Sequence, residues 1–191
     1  MGSGSSTETQ RANACAISLG DGVGGNSPVN LGRFSTTAAD RLRILETYRH
    51  IAMVGLSSNP FRPSHFAAIY LISEGYDVIP VNPRETEVLG RKSYPSIAAM
   101  AAAISGPVEV VDIFREPSAV PAIVDEAIAA RAKVIWMQLG VIDEASAEKA
   151  RNAGLEVVMD RCMKIEHARF FGGLNTIGMN TAVISSRRRP R

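Results

Sequence analysis

The segment IAMVGLSSNPFRPSH, from Ile51 to His65, decides the fold of this chain. An apolar run ends at Gly55, turn-forming residues follow, and a helix-compatible stretch begins after Pro63 and Ser64. This pattern predicts a buried parallel strand, a loop and a helix. The first turn of such a helix has unpartnered N–H groups and partial positive charge, which favour an anion. Serine and asparagine are also common in turns for local reasons, so a purely structural turn stays open.

The alternation of strand and helix recurs along the chain. Short apolar runs predict strands at Ile51–Gly55, Asp77–Val81, Val108–Phe114, Lys133–Met137 and Glu156–Met159. Helical spacing predicts helices at Thr37–Tyr48, Phe66–Glu74, Ile97–Ile104, Ser118–Arg131 and Asp143–Asn152. Pro80 indicates that the second strand lies at an edge of the sheet or that its backbone nitrogen at this position faces away from the neighbouring strand. The expected fold class is α/β: a Rossmann-like, doubly wound, mostly parallel five-stranded sheet with helices on both faces.

Composition divides the 191 residues into three parts. Residues 1–37 are rich in Gly, Ser, Asn and Thr and predict a flexible extension. Residues 38–186 carry the apolar runs and predict one domain, and residues 187–191 form a basic tail. A net charge of +2 is too small to favour a nucleic acid partner, which is therefore not expected, and the short tail is interpreted as solvated.

Three further features place the protein in the cytoplasm. No stretch approaches the roughly 18 apolar residues that a membrane span needs, so we expect no membrane partner. The N-terminus lacks the apolar core of a secretory signal. Two cysteines, Cys15 and Cys162, provide no disulfide framework and fit a reducing compartment.

The polar ends of the strands predict a ligand site, because parallel sheets bind ligands at the carboxyl edge of their strands. The usual dinucleotide fingerprint is incomplete there. Only Gly55 of its glycines is present, and Ser57 and Pro60 take the later positions. Asn82 stands where that fingerprint has a carboxylate for the ribose, with Arg84 just beyond. An amide and a guanidinium suit an extra phosphate better than a free ribose diol.

Six blocks carry a resemblance to a known family: VGLSSNPFRPSH, GYDVIPVNPRETEVLG, YPSI, VDIFREP, WMQLGV and VMDRCMKIEH. In this order and spacing they resemble the small bacterial CoA-binding domain proteins, which are relatives of the N-terminal domain of the succinyl-CoA synthetase α subunit. The resemblance covers roughly residues 44–186. It implies a Rossmann-like domain that binds CoA or acyl-CoA.

The resemblance also implies which residues contact CoA. The diphosphate is expected on Gly55, Leu56, Ser57 and Ser58. The nucleotide is expected near Asn82, Pro83 and Arg84, and its ribose or adenine side beside Phe114 and Arg115. The 3′-phosphate of CoA needs a cation, and Arg62 and Lys164 are further cationic candidates, with ordinary surface positions as the alternative.

No catalytic or metal-ligating set is predicted. The synthetase needs a second domain with a phosphorylated histidine, and this chain ends soon after its fifth strand, so we expect no ligase activity from it alone. His167 is interpreted as structural. Cys162 lies between Arg161 and Lys164, which favours the thiolate and suggests a mixed disulfide with CoA. A small buried core residue is the alternative.

Two other functions stay open at this point. One is an NADP-dependent or other nucleotide-using enzyme, which would need a catalytic acid or base over the pocket. The other is a CoA-responsive interaction protein whose extension or arginine tail contacts a partner. The glycine-rich apolar segment Arg169–Asn180 is expected to fold back over the sheet or to form a homo-oligomer contact.

Overall fold

The structure, a computed structural model, describes residues 36–172. The helices of this part are α1 (Ala38–Thr47), α2 (Pro63–Ser73), α3 (Ile97–Ala103), α4 (Val120–Ala129), α5 (Glu144–Asn152) and α6 (Met163–Phe171). Its strands are β1 (His50–Val54), β2 (Asp77–Val81), β3 (Glu87–Val88), β4 (Arg91–Lys92), β5 (Val110–Ile113), β6 (Val134–Met137) and β7 (Glu156–Val158). Predictions for residues 1–35, for the apolar segment beyond Gly172 and for the arginine tail lie outside the described residues.

Five of the strands form one parallel sheet in the order β2-β1-β5-β6-β7. After β1 the chain adds β2 on one side of it, and then adds β5, β6 and β7 in turn on the other side. The connections after β1 and β5 therefore diverge, which is the topological switch point where such sheets bind ligands. The predicted five-stranded Rossmann-like fold is confirmed.

Two apolar layers cover the sheet because its strand residues alternate in direction. Ala52 and Val54 of β1 face a cluster formed with α3, α4 and α5. Ile51 and Met53 face the opposite cluster, formed with α1, α2 and α6. Both faces of β1 are buried, as the continuous apolar run predicts.

Local signals for helix ends and for the sheet edge agree with the structure. Ser96 and Asp143 cap α3 and α5 through side-chain oxygens that accept the N–H groups of Ala99 and Ser146. The strand that contains Pro80 lies at an edge of the five-stranded sheet.

Two elements were not predicted from the sequence. A small antiparallel hairpin joins β3 to β4, and its turn residues Leu89 and Gly90 both have positive φ. The helix α6 follows Cys162. Its inward residues, Met163, Glu166 and His167, have helical spacing, but two of them are polar, so an apolar pattern does not reveal it.

Asp112 is a polar residue at the centre of the sheet, in β5 between Met53 and Trp136 of the neighbouring strands. Its side chain is fully buried. The side-chain amide of Gln138 donates to its Oδ1 at 2.6 Å, whereas Oδ2 has no hydrogen-bond partner among residues 36–172. Burial raises the pKa of Asp112 to about 7, partly offset by the Gln138 hydrogen bond.

This raised pKa predicts a pH-dependent stability. The folded state prefers the protonated carboxyl, so the stabilisation is complete below the ordinary pKa of about 4 and is lost as the pH rises toward about 7. We expect the free energy of unfolding to fall by up to about 1.4 kcal/mol per pH unit in this window. Urea titrations between about pH 5 and about pH 8 measure the slope. Asp112→Asn should give a flatter profile, and parallel profiles would show the prediction to be wrong.

Candidate ligand-binding site

A cavity of about 1090 Å³ opens at the carboxyl edge of the sheet. Residues that follow each of the five strands of the sheet line it, together with the first turns of α2 and α6. Eight of the eleven predicted site residues are among the lining residues: Gly55, Ser57, Arg62, Asn82, Arg84, Phe114, Arg115 and Cys162. The predicted ligand edge of the sheet and this cavity therefore coincide in space.

Gly55 makes the contact that brings the loops after β1 and β5 together. Its φ is 88°, and its N–H donates to the carbonyl oxygen of Val81 at 2.8 Å. A Cβ at this position would lie 2.6 Å from the carbonyl oxygen of Phe114. Both the backbone conformation and the missing side chain are needed here, since only glycine combines them without strain.

The loop after Gly55 leads into α2 and is held to its first turn by hydrogen bonds of Ser57. Ser57 donates its N–H to the Ser64 hydroxyl at 3.3 Å, and its carbonyl oxygen lies 2.9 Å from Nδ1 of His65. No side chain caps α2, whose N-cap residue is Arg62. The start of an uncapped helix beside a guanidinium favours an anion at this end of the cavity.

Glu85 is a lining residue that the sequence did not single out. Its Oε1 accepts both the N–H of Ser58 at 2.9 Å and the Ser58 hydroxyl at 2.8 Å. These two hydrogen bonds hold the pKa of Glu85 below its usual value. In this structure an internal carboxylate thus occupies the Ser58 donors, and no pattern in the sequence marks Glu85 for that contact.

Asn82 ties two of the loops together. Its side-chain amide donates to the carbonyl oxygen of Leu56 at 2.8 Å, and its Oδ1 accepts the N–H of Arg84 at 3.0 Å. Leu56 itself packs in the apolar core, fully buried. The sequence-based hypothesis gave Asn82 a place beside the ligand. The structure shows in addition that its polar atoms hold the loops after β1 and β2.

The cavity carries an excess of positive charge. Arg62, Arg84, Arg115 and Lys164 line it, against Glu85 and Glu116. Arg115 lies 3.9 Å from Glu116, whereas Arg62, Arg84 and Lys164 form no ion pair within residues 36–172. These free cations suit a ligand with several negative charges.

Cys162 lies at the N-cap of α6 and lines the cavity while half-buried. The sequence predicts a thiolate here because cations flank the residue. The structure contradicts that prediction: burial raises the pKa of the Cys162 thiol, the negative charge of Asp112 adds to it, and backbone N–H groups of Ile165 and Lys164 only partly oppose the shift. The side chain is therefore a thiol at neutral pH.

His167 is not a lining residue of the cavity. Its ring is buried between Tyr70, Tyr76 and Phe171, and its Nδ1 lies 3.0 Å from the Tyr70 hydroxyl. Burial lowers the pKa of His167. These contacts favour the structural interpretation.

The other three predicted site residues differ from the first eight. The Leu56 side chain points into the core, and Ser58 and Pro83 are not lining residues of the cavity. The sequence also missed lining residues that the fold brings in, among them Phe61 and Phe66, whereas Gln138 lies on the predicted ligand edge. Phe61 is 87% exposed at the rim, an unusual position for a large apolar side chain.

Within residues 36–172 no helix is long and apolar enough to cross a membrane. The same part of the chain contains no group of three or more His, Cys, Asp or Glu side chains placed to hold a metal ion.

The fold and the cavity define a Rossmann-like α/β protein with its candidate site at the switch point of the sheet. The sequence profile of the family described as "CoA binding domain" matches residues 49–168. The chain belongs to this CoA-binding domain family.

Relatives of known sequence and structure agree with this assignment. The uncharacterized protein YneT of Bacillus subtilis is 36% identical over 130 residues, which are 68% of this chain and 93% of YneT. A hypothetical protein from Pyrococcus horikoshii is 40% identical with a TM-score of 0.68, over 78% of this chain and all of that one. A dinucleotide-forming acetyl-coenzyme A synthetase from Ca. Korarchaeum cryptofilum is 25% identical with a TM-score of 0.51, over 62% of this chain and 27% of that one.

The contact at Gly55 predicts a destabilised variant. Gly55→Ala places a methyl group against the Phe114 carbonyl and strains a backbone with φ of 88°. Gly75 has a φ of 86°, but its added Cβ would meet nothing within 4 Å, so Gly75→Ala is a matched control for backbone strain alone. We expect Gly75→Ala to cost about 1 kcal/mol and Gly55→Ala at least about 1 kcal/mol more, measured by urea unfolding. Equal losses would show that the close approach has no energetic weight.

Proposed function

We propose that this protein binds CoA, free or as an acyl thioester, in the cavity at the carboxyl edge of the sheet, without catalysis of its own. The observation that carries the proposal is a cavity of about 1090 Å³ at the start of the uncapped helix α2, whose lining cations Arg62, Arg84 and Lys164 form no ion pair within residues 36–172. Membership of the CoA-binding domain family supports the same ligand. A cavity at the upper end of the usual size range suits a ligand as long as CoA.

The diphosphate fits the loop between β1 and α2. Gly55 lets the backbone approach closely, and the first turn of α2 supplies the N–H of Ser64 and partial positive charge, since Pro63 has no N–H and the N–H of His65 donates to the Arg62 carbonyl. Arg62 lies at the same turn. Glu85 accepts hydrogen bonds from Ser58, so the diphosphate either displaces this carboxylate or binds beside it, on Ser57 and Arg62.

The 3′-phosphate fits Arg84, with Arg115 across the cavity. The Arg84 backbone is fixed by the hydrogen bond from its N–H to Asn82, while its guanidinium forms no ion pair in the described part of the chain. A guanidinium presents several donors in a plane that matches phosphate oxygens. This arrangement explains why an amide and an arginine follow β2 where a ribose-binding carboxylate would exclude an extra phosphate.

The pantetheine arm then extends toward Gln138, Leu139 and Cys162, which line the cavity at the ends of β6 and β7. Leu139 and Ile165 offer apolar surface for the arm, and Cys162 offers a neutral thiol near its end. No acid or base is placed over the cavity as a catalytic pair in residues 36–172, so binding is the simpler function.

The direct test is calorimetric titration with CoA, dephospho-CoA, NADP and NAD. We expect CoA to bind at least about tenfold more tightly than dephospho-CoA, because a charge-assisted phosphate contact contributes about 1.5–3 kcal/mol. Arg84→Gln should remove most of that preference. Lys133→Gln, which removes a charge at the opposite edge of the sheet, should retain it.

Other outcomes would change the proposal in defined ways. Binding of NADP without CoA would favour a nucleotide-using enzyme. Equal affinity for CoA and dephospho-CoA would show that Arg84 does not bind the 3′-phosphate. If none of the four compounds bound, the proposed function would be wrong.

The Cys162 thiol gives a second test of where the pantetheine arm ends. In a mixed-disulfide exchange, the Cys162 thiolate attacks CoA disulfide, one S–S bond breaks as another forms, and CoA leaves as a thiolate. Because burial raises the pKa of Cys162, the rate should be low at neutral pH and rise on the alkaline side of about 8.5, the ordinary pKa of a thiol. Intact mass spectrometry follows the adduct. A Cys162→Ser variant controls for Cys15, and absence of an adduct at alkaline pH would place the arm elsewhere.

A further inference from the structure

A second, smaller cavity of about 80 Å³ adjoins the first one beside Cys162. Leu139, Cys162 and Ile165 line both cavities and so form the boundary between them. The remaining lining residues of the small cavity are all charged: Arg41, Arg161, Glu166 and Arg169. A compartment of this composition next to the expected thiol end of CoA is not explained by CoA binding alone.

The charges of the small cavity do not balance. Glu166, 2% exposed, is shared by two arginines: Oε2 accepts from Nε of Arg41 at 2.8 Å, and Oε1 lies 3.2 Å from Arg169. One carboxylate therefore faces three guanidinium groups. Two positive charges remain in a confined space, where a charge without a partner is costly.

Arg161 is the arginine with free donors. Its backbone is fixed, because its N–H donates to the Met137 carbonyl at 3.3 Å and its carbonyl accepts Nε1–H of Trp136 at 2.7 Å. Its guanidinium donates to the Asp160 carbonyl at 2.8 Å and pairs with no carboxylate among the described residues. A guanidinium has five N–H donors, so most of them remain available to an oxyanion.

We infer that this arginine cavity binds the terminal carboxylate of a dicarboxylic acyl group carried on CoA. The inference rests on the proposed function, since it places the thioester at the Cys162 boundary with the acyl chain passing into the small cavity. A volume of about 80 Å³ matches the room that two to three water molecules occupy, which suits a short chain ending in one carboxylate. Arg161, with Arg169 beside it, supplies the charge-assisted hydrogen bonds.

The test compares ligands that differ in charge but not in shape. Malonyl-CoA and acetoacetyl-CoA have acyl groups of similar size, and only the first carries a carboxylate. Glutaryl-CoA and 5-oxohexanoyl-CoA form a longer pair with the same relation. Calorimetry on the full chain should show that, in one or both pairs, the thioester with the carboxylate binds at least about tenfold more tightly than its uncharged partner. A difference of this size is the effect of one charge-assisted contact.

Three variants locate the effect. Arg161→Gln should bring the affinity ratio of the pair close to one, and Arg161→Lys should restore part of it by returning the charge. Lys133→Gln, at the opposite edge of the sheet, should leave the ratio unchanged. CoA itself should bind all three variants with similar affinity, which confirms that they fold.

The possible results separate this inference from the proposed function. Binding of CoA without preference for the carboxylate in either pair would overturn the inference and leave the proposed function standing. A preference that survives Arg161→Gln would overturn the assignment to this cavity. Binding of free malonate with no preference among the thioesters would make the cavity a site for a separate anion and would also overturn it. Failure of every CoA compound to bind would overturn both proposals.

Discussion

The close approach of two backbones at Gly55 is the constraint on which the rest of the site depends. The sheet reverses its direction of growth between β1 and β5, and the loops that leave these strands diverge above it. They can stay close at their origin only where one side has no Cβ, since the Phe114 carbonyl occupies that space. The cavity floor, the entry into α2 and the position of Arg115 all follow from this contact.

Polar cross-connections then fix the loops around that point. Asn82 joins the loop after β2 to the loop after β1, and Trp136 joins β6 to the backbone of Arg161. Each bond uses a side chain from a rigid strand end to hold a neighbouring loop. The ends of the strands therefore build the lining, and three of its cations, Arg62, Arg84 and Lys164, form no ion pair in the described part of the chain.

Much of this arrangement could be predicted from local patterns in the amino-acid sequence. The apolar run before Gly55 and the polar ends of the strands indicated both the sheet and its ligand edge, and Pro80 indicated the edge strand. What depends on contacts across the fold could not be predicted. The thiol of Cys162 has cationic neighbours in sequence, yet its pKa rises because the fold buries it near Asp112. Helix α6 could not be predicted from an apolar pattern because its buried positions include Glu166, whose partner Arg41 lies 125 residues away in the sequence.

The two hydrogen bonds between Glu85 and Ser58 affect the entropy that ligand binding would lose by ordering the loop after β1. A loop that waits for its ligand with empty donors is held by water and samples many shapes, and binding then has to remove that freedom. Here a carboxylate from the neighbouring loop already accepts from both Ser58 donors, so hydrogen bonds within the chain hold this loop. A ligand that exchanged with this carboxylate at Ser58 would spend less of its interaction energy on organising the loop.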